Sequence, residues 1–332
     1  MRFSAIFLLS CPPGTSHPQV YEEGLEQMEM AEALGFHTLW LTEHHFSAYG
    51  GSPDPMLMAI AAAHRTKTVR IGIGVSVLPF HHPLQLAEQG AMVDVLSGGR
   101  LECGVGRGSQ RYEYERLGVP MDEKGARFEE AMEIIRKAWI EEVFAHEGLY
   151  YRFPETTVYP RVLQRPHPPM WVASTTPPTL QYAVKHRHPV MGSALLTLPR
   201  AKEYFASYQS LLAEDGQDPA DAVFALSRRV YVAEDKRHVR RAAERCVAFH
   251  YAWAKQMGIA KFGPHGDLTF EELFDSSYVF GTPDECVAML GELRAIGIQE
   301  VICNMNFAGV LEHRRVLDSM QLFASRVMPQ FV

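Results

Sequence analysis

Residues 39–46 read LWLTEHHF, an apolar run that ends abruptly in three ionisable side chains. The run begins at Phe36 and mixes aromatic with aliphatic residues, a composition typical of a buried strand. Glu43, His44 and His45 follow at once, and each of them can hold or move a proton. Barrel enzymes expose catalytic groups at the C-terminal ends of buried parallel strands. The stretch therefore predicts an α/β barrel whose other strands come from the rest of the chain.

The overall composition predicts one globular domain with a large core. The chain has 332 residues, of which 47% are apolar and 21% are charged. The net charge of −7 argues against nucleic acid or an anionic membrane as the main partner. No run of about 18 apolar residues occurs, so we expect no transmembrane helix. The apolar run in residues 1–10 is too short for a signal peptide, and we interpret it as the first strand.

The cysteines are scattered and odd in number, and no Cys-x-x-Cys pair occurs; they are Cys11, Cys103, Cys246, Cys286 and Cys303. This pattern is typical of reduced thiols in a cytoplasmic protein. We expect most of these side chains to be ordinary core residues.

Strand-like and helix-like segments alternate along the chain. The sequence predicts eight strands, at residues 3–9, 36–42, 69–78, 100–105, 170–173, 189–194, 223–233 and 300–304. It predicts helices at residues 18–34, 55–64, 83–96, 123–142, 179–185, 200–213, 235–255 and 282–296. A last helix follows the strand at 300–304 and runs to about residue 327. Residues 282–285, TPDE, form the capping box of one helix. Eight β/α units without a break in composition predict a single (β/α)8 TIM barrel over residues 1–332, with a doubly wound open sheet as the alternative.

Two irregular stretches are predicted to be insertions in this barrel. Residues 148–169 follow the fourth strand and its helix, and residues 257–280 lie near the seventh strand. Their aromatic side chains suggest the lining of a pocket for an apolar substrate or a dimer contact: Tyr150, Tyr151, Phe153, Phe262, Phe270 and Phe274.

Glu43-His44-His45 is the leading catalytic candidate. Imidazole titrates near neutral pH, so it can take and return a proton in one turnover. Because neighbouring strand residues point to opposite sides, we expect one histidine to face the barrel mouth and the other to pack behind it, oriented by Glu43. Purely structural roles for both histidines are the alternative.

A second histidine pair, His81-His82, precedes Pro83 after the third strand. Two such pairs after adjacent strands suggest a metal site. Metal sites of barrel hydrolases usually space two histidines by one residue so that both face the same side, which adjacent histidines do not achieve. We favour a helix start at His82-Pro83 and predict no metal.

The loop after the fourth strand, residues 104–109, reads GVGRGS. Glycines let backbone N–H groups approach an anion, and the Arg107 guanidinium suits phosphate, although a tight turn is the alternative. The loop is not a dinucleotide fingerprint, because its third glycine comes too early and no helix begins at once. Ser174, Thr175 and Thr179 follow the fifth strand and are either ordinary helix caps or a phosphate cradle.

Together these segments resemble the bacterial luciferase-like monooxygenase family, and within it the luciferase alpha-chain-like, FMN-dependent branch. The matches run from end to end in the family's order: EHHF at 43–46 with YG at 49–50, VLP at 77–79, HP at 82–83, LSxGR at 96–100, GRG at 106–108, PPxxVA at 168–173 leading to Thr179, GTPDEC at 281–286, and MxLFxxxVMP at 320–329.

The resemblance implies a dimeric barrel that binds reduced FMN (FMNH2) at its C-terminal face. It assigns His44 as the catalytic histidine and implies a non-proline cis peptide under the flavin between Gly74 and Val75. Arg107 would hold the phosphate, and Arg127 is a weaker candidate for the same pocket. The cofactor-binding residues by position are Glu43, Gly74, Val75, Gly106, Arg107, Arg127, Ser174, Thr175 and Thr179.

The implied reaction is an oxygenation. Reduced FMN and O2 give a C4a-(hydro)peroxyflavin, and the protein excludes water and positions a small apolar or carbonyl substrate against it. His44 would manage the proton. Because the chain has no nicotinamide fingerprint, a separate flavin reductase would supply the reduced FMN.

Two departures from the luciferase alpha chain argue against light emission. Gly106 stands where the alpha chain has a cysteine, and the loop at 257–280 is shorter than its mobile loop. Three alternatives remain on this fold: an F420-dependent oxidoreductase that transfers hydride, a non-catalytic flavin-binding or partner subunit, and, more distantly, a zinc hydrolase.

Overall fold

The computed structural model describes residues 1–256 and 269–332. The strands are β1 (Arg2–Phe7), β2 (Thr38–Leu41), β3 (Arg70–Val77), β4 (Leu101–Gly106), β5 (Phe144–Glu147), β6 (Arg152–Thr156), β7 (Met170–Ser174), β8 (Val190–Gly192), β9 (Phe224–Val232), β10 (Tyr278–Gly281) and β11 (Glu300–Asn304). The α-helices are α1 (His17–Ala33), α2 (Pro55–Arg65), α3 (Pro83–Leu96), α4 (Arg111–Leu117), α5 (Lys124–Ile140), α6 (Pro177–Lys185), α7 (Leu198–Glu214), α8 (Lys236–Gln256), α9 (Phe270–Ser277), α10 (Pro283–Ala295) and α11 (His313–Leu322).

Eight parallel strands close into a barrel in the order β1, β2, β3, β4, β7, β8, β9 and β11. The last of them, β11, pairs back onto β1, with Phe3 opposite Val301. These are the eight strands that the alternation predicts, so the (β/α)8 TIM barrel is confirmed and the open sheet is excluded. Parallel strands surrounded by helices are buried on both faces, which explains why residues 38–41 of β2 are all buried.

Local sequence signals set where several helices begin. The carboxylate of Asp54 accepts hydrogen bonds from the amides of Met56 and Leu57 at the start of α2. Thr282 and Glu285 form the predicted capping box of α10. His82 is the residue before α3, with Pro83 at its first position, as predicted. The side chains of Asp54 and Glu285 satisfy amide groups that have no partner inside a helix, whereas His82 makes no such bond.

The two predicted insertions contain more regular structure than their sequences indicate. Residues 144–156 form an antiparallel hairpin of β5 and β6, which reaches into the first stretch. Within the second stretch, residues 257–268, including Phe262, lie outside the described residues. The prediction of irregular structure is wrong for residues 270–280, which form α9 and most of β10. Pairing of β10 with the C-terminal half of β9 stabilises this strand, and a local pattern does not reveal such long-range pairing.

The short helix α4 is also absent from the predicted elements. It has seven residues and ends at Gly118, whose φ of 70° suits glycine. Its importance is positional, because it places the buried carboxylate of Glu113 beside the end of β2.

In the described part of the chain, no helix has both the length and the apolar character needed to cross a bilayer. All five cysteines are free thiols, and only Cys11 is partly accessible.

Candidate active site

The C-terminal ends of the barrel strands surround a cavity of about 540 Å³, a size typical of small-molecule sites. Eight of the ten predicted site residues line it: His44, Gly74, Val75, Gly106, Arg107, Ser174, Thr175 and Thr179. A groove of about 790 Å³ beside α5 is larger, but it lies among outer helices away from the strand ends. The structure therefore brings together in one cavity residues that are up to 135 positions apart in sequence, from His44 to Thr179.

His44 lies at the end of β2 and is held by a carboxylate. Its Nδ1 is 3.4 Å from Oε1 of Glu113, and the same oxygen accepts a hydrogen bond of 2.9 Å from the His45 amide. Glu113 is only 2% exposed, so water competes little for it. Gly50 packs against the imidazole so closely that a Cβ there would lie 2.8 Å from the His44 ring. With Nδ1 directed at Glu113, Nε2 is the nitrogen left to act in the cavity.

Glu43 is buried behind the cavity and does not line it. One oxygen, Oε1, accepts from Nε2 of His45 at 3.0 Å, as the sequence predicts. The other, Oε2, accepts from Nε2 of His81 and from the amide of Val77, both at 2.9 Å. Its placement does not support the predicted contact with flavin, because all these bonds direct the carboxylate away from the cavity.

The surroundings of Glu43 shift two pKa values. Burial would raise the pKa of Glu43, but the hydrogen bonds from His45, His81 and the Val77 amide outweigh it and lower the pKa. Burial would lower the pKa of His81, but the carboxylate of Glu43 raises it above the ordinary value. The two groups therefore favour an ion pair that braces the ends of β2 and β3.

Arg107 follows β4, two strands along the barrel from β2, and lines the same cavity. Its Nη2 is 3.2 Å from Oε1 of Glu129, and its guanidinium lies 5.3 Å from the ring centre of Phe128. Its Nε is buried and has no hydrogen-bond partner among the described residues. Gly106 gives the loop its close approach to β3, because a Cβ there would lie 2.8 Å from Cγ2 of Val75. A buried, unpartnered N–H beside glycines is suited to an anionic ligand.

The hydroxyl groups after β7 gather near the start of α6. Oγ of Ser174 is 2.5 Å from the Tyr204 hydroxyl, and Oγ1 of Thr176 is 3.0 Å from Oγ1 of Thr179. Thr176 is the residue before α6, which begins with Pro177 and Pro178, so the amide of Thr179 is the first N–H of the helix and lies beside these hydroxyls. A helix N-terminus with hydroxyl donors and a nearby arginine is a favourable place for phosphate.

Arg127 does not join this group. It lies in the first turn of α5, where its Nη2 is 2.7 Å from Oε2 of Glu123 and its guanidinium stacks 4.4 Å from the ring centre of Tyr150. The cavity lining does not include it. The structure therefore does not support its predicted contact with the cofactor, because its charge is already paired outside the cavity.

Sequence reasoning missed several polar residues at the site, among them Lys124 and Asn304 in the cavity lining and Glu113 beside His44. Glu113 had no detectable signal, because α4 is short and its neighbours are also polar. Tyr49 and Arg229 both line the cavity. Arg229 could have been found, since two adjacent charged residues, Arg228 and Arg229, are unusual inside the largely apolar strand predicted at 223–233. In addition, the cis peptide between Gly74 and Val75, implied by the resemblance, is present in β3.

Among the residues that the structure describes, no group of three or more His, Cys, Asp or Glu side chains is arranged to hold a metal ion. The chemistry that the described side chains offer is instead anion binding near Arg107 and proton transfer at His44.

Comparison with known proteins gives matches over the whole chain. The profile of the luciferase-like monooxygenases matches residues 1–300. The oxygenase component of the flavin-dependent trigonelline monooxygenase of Acinetobacter baylyi is 31% identical over 347 aligned positions, covering 100% of this chain and 96% of the relative. An alkanal monooxygenase alpha chain of Photorhabdus luminescens is 26% identical, covering 99% of this chain and 96% of the relative.

Solved structures share the architecture. A monooxygenase from Streptomyces bottropensis is 32% identical, with a TM-score of 0.89 and both chains covered completely. The FMN complex of the oxygenating constituent of 3,6-diketocamphane monooxygenase from Pseudomonas putida is 21% identical, with a TM-score of 0.79 and coverage of 100% and 99%. The coenzyme F420-dependent tetrahydromethanopterin reductase of Methanopyrus kandleri is 20% identical, with a TM-score of 0.80 and the same coverage. The last two matches show the fold alone.

Proposed function

The chain belongs to the luciferase-like monooxygenase family, and from this premise we propose that it is the oxygenase component of a two-component system that uses reduced FMN and O2 on a small organic substrate. The observation that carries the proposal is the single cavity in which Arg107 and His44 both take part. The Arg107 guanidinium is suited to binding the phosphate of FMN. The His44 imidazole is suited to transferring the proton that the reaction at the flavin ring requires.

The phosphate end of the cofactor fits the group formed by Arg107, Ser174, Thr175 and Thr179. The buried Nε of Arg107 lacks a partner among the described residues and would gain one from a phosphate oxygen. The hydroxyl and the amide of Thr179 would add donors, because the two residues before it in α6, Pro177 and Pro178, have no N–H. The ion pair of Arg107 with Glu129 involves Nη2 and leaves the other nitrogens available to the phosphate.

The ring end of the cofactor fits the wall formed by Gly74, Val75 and Gly106. These residues line the cavity and carry little side-chain bulk, so a planar ring system can approach their backbone. When bound and reduced, FMN supplies two electrons, so that one atom of O2 enters the substrate and the other leaves as water. The barrel strands and Met191 exclude bulk water from the floor of the cavity.

His44 would handle the proton in this reaction. Its Nδ1 donates toward Glu113, which fixes the ring and the tautomer in which Nε2 accepts. The carboxylate also stabilises the protonated imidazole when Nε2 takes a proton. Because Glu113 is itself held by the His45 amide, the ring stays oriented through the cycle.

A deazaflavin-dependent hydride transfer is the second candidate, and the shared fold supports it. The experiment supplies the protein with chemically reduced FMN or reduced F420 and isotopically labelled O2, and screens organic substrates by mass spectrometry. We expect labelled product with reduced FMN only. A product without oxygen from O2, formed with reduced F420, would replace the proposal by the second candidate.

A separate flavin reductase completes the proposed system. The oxygenase component from Acinetobacter baylyi belongs by its name to a multicomponent enzyme, and this chain covers 96% of it. Adding a general flavin reductase with NADH should therefore sustain many turnovers, whereas the chain with NADH and FMN alone should give none. Turnover without any reductase would contradict the two-component proposal.

A further inference from the structure

Arg229 is a buried cation in the cavity with no role in the proposed handling of flavin or protons. It lies on β9, is 4% exposed and lines the cavity. Two of its three guanidinium nitrogens, Nε and Nη1, are buried and have no hydrogen-bond partner within residues 1–256 and 269–332. A buried charge without its hydrogen bonds is costly, so its presence calls for a ligand that supplies them.

Aromatic rings hold the guanidinium in place. Its carbon lies 4.2 Å from the ring centre of Phe307 and 4.8 Å from that of Tyr278. It also donates a hydrogen bond to the Tyr49 phenol. Burial raises the pKa of Tyr49, and the hydrogen bond and charge of Arg229 offset part of this increase. These neighbours orient the charge without neutralising it, because all three are uncharged at neutral pH.

The local charge is also strongly positive. No Asp or Glu within the described ranges forms an ion pair with Arg229 or with the adjacent Arg228, which is buried as well. Arg228 donates its Nη1 to the carbonyl of Ser227. Arg228 lies on the other face of β9 and does not line the cavity, so Arg229 is the one of the two that can meet an anion there.

The position of Arg229 separates it from the proposed cofactor wall. In the barrel order β3-β4-β7-β8-β9 and β3-β2-β1-β11-β9, β9 is four strands from β3 in either direction. Gly74 and Val75 of β3 form the wall proposed to contact the flavin ring. Arg229 therefore lies across the barrel from the wall that would hold the ring, on the far side of the cavity.

We propose that Arg229 binds a carboxylate group of the organic substrate, so that the enzyme acts on small carboxylic acids. This inference rests on the proposed monooxygenase function and narrows its substrate class. The apolar side chains of Ile6, Leu8 and Ile302 line the same cavity and suit an apolar body next to that carboxylate. A neutral amide of the same shape would leave the buried charge uncompensated and would bind more weakly.

The test measures by calorimetry the binding of benzoate and octanoate against benzamide and octanamide, with and without FMN. The wild-type protein should bind at least one carboxylate roughly tenfold or more tightly than its amide. Arg229→Gln should bring this ratio to about one, and Arg229→Lys should keep part of it. Arg237→Gln removes one exposed positive charge far from the cavity and should keep the wild-type ratio.

A second measurement does not depend on the folding of a variant. Benzoate, but not benzamide, should protect Arg229 of the wild-type protein from labelling by phenylglyoxal, as read by peptide mass spectrometry. Equal affinity for acid and amide in the wild type, or a preference that survives in Arg229→Gln, would overturn the proposal.

Measurements of FMN binding distinguish a failure of the carboxylate proposal from a failure of the monooxygenase proposal. FMN affinity, measured by flavin fluorescence, should be the same in Arg229→Gln and in the wild type. Suppose that Arg229→Gln loses FMN binding and that inorganic phosphate competes with FMN for the wild-type protein. That result would assign Arg229 to the cofactor phosphate and overturn the carboxylate proposal. If the wild type does not bind FMN, the monooxygenase proposal fails, whereas the acid-to-amide ratio measured without FMN still decides the role of Arg229.

Discussion

At the scale of single residues, the site is built from polar groups whose partners set their behaviour. His44 depends on Glu113, Glu43 depends on His45 and His81, and Arg107 keeps one buried N–H without a partner among the described residues. The sequence alone could indicate the histidines and the arginine, because a proton carrier and an anion ligand have recognisable types. It could not indicate Glu113, because one polar residue on a short polar helix looks like any other.

Removing the guanidinium of Arg107 should affect the cofactor phosphate specifically. We expect Arg107→Ala to weaken FMN binding by roughly ten- to a hundredfold and riboflavin binding far less, because charged hydrogen bonds to phosphate are lost. Fluorescence titration with both flavins measures this. Arg127→Ala is the matched control and should change both affinities little, because its guanidinium pairs with Glu123. Equal losses for FMN and riboflavin in Arg107→Ala would exclude a phosphate contact.

His44 should be needed for product but not for cofactor binding. We expect His44→Ala to keep FMN affinity and to lower product formation by about a hundredfold or more, with peroxide release rising instead. Glu113→Gln should cause a smaller loss of the same kind, because it keeps the shape but weakens the orientation of the imidazole. Product and peroxide are quantified in the same reaction. An unchanged product yield in His44→Ala would remove this residue from the mechanism.

The ion pair of Glu43 and His81 should make stability depend on pH. The raised pKa of His81 contributes stability that is complete below its ordinary value of 6.5 and is lost as pH rises through the folded-state pKa. The lowered pKa of Glu43 contributes stability that is present above 4.5 and is lost as pH falls through its folded-state pKa. The pair is therefore most stabilising between these two ordinary values.

Urea unfolding of His81→Gln tests this dependence. We expect the variant to be less stable than the wild type by roughly 1–2 kcal/mol at about pH 5.5, and the difference to shrink at about pH 9. A difference that is the same at both pH values would show that the pair is not charged in the folded protein.

At the scale of elements, the alternation of strand and helix was readable because buried parallel strands and amphipathic helices leave different periodicities. All eight barrel strands were predicted from this signal. The signal fails where pairing between distant segments decides the structure, as in β10 on β9 and in the β5–β6 hairpin. It also fails for α4, which is too short to show a helical period.

The capping box of α10 allows a direct test at this scale. Oγ1 of Thr282 and Oε2 of Glu285 lie 3.0 Å apart, and the Thr282 amide donates to the same carboxylate at 2.9 Å. We expect Thr282→Ala to lower the free energy of unfolding by about 1 kcal/mol. Flavin affinity should stay at the wild-type value, because this end of α10 is not part of the cavity lining. Unchanged stability would mean that the box contributes nothing.

At the scale of the whole molecule, we expect a homodimer. Helices α2 and α3 pack side by side and expose Leu57, Met92 and Leu96, which a second copy of the chain could bury. Leu57 is 71% exposed, and Leu57→Glu should shift the sedimentation coefficient to that of a monomer. Leu149→Glu changes a residue that is 80% exposed between β5 and β6 and should leave a dimer intact. A monomeric wild type would contradict this expectation.

The central claim is that one flavin mononucleotide spans the cavity from Arg107 to the side of His44. A crystal structure with FMN measures this most directly. We predict that the phosphate lies within hydrogen-bond distance of Arg107 and Thr179, and that the ring lies on Gly74 and Val75 with His44 at its edge. A phosphate bound elsewhere, for example on Arg229, or a flavin outside this cavity would contradict the claim.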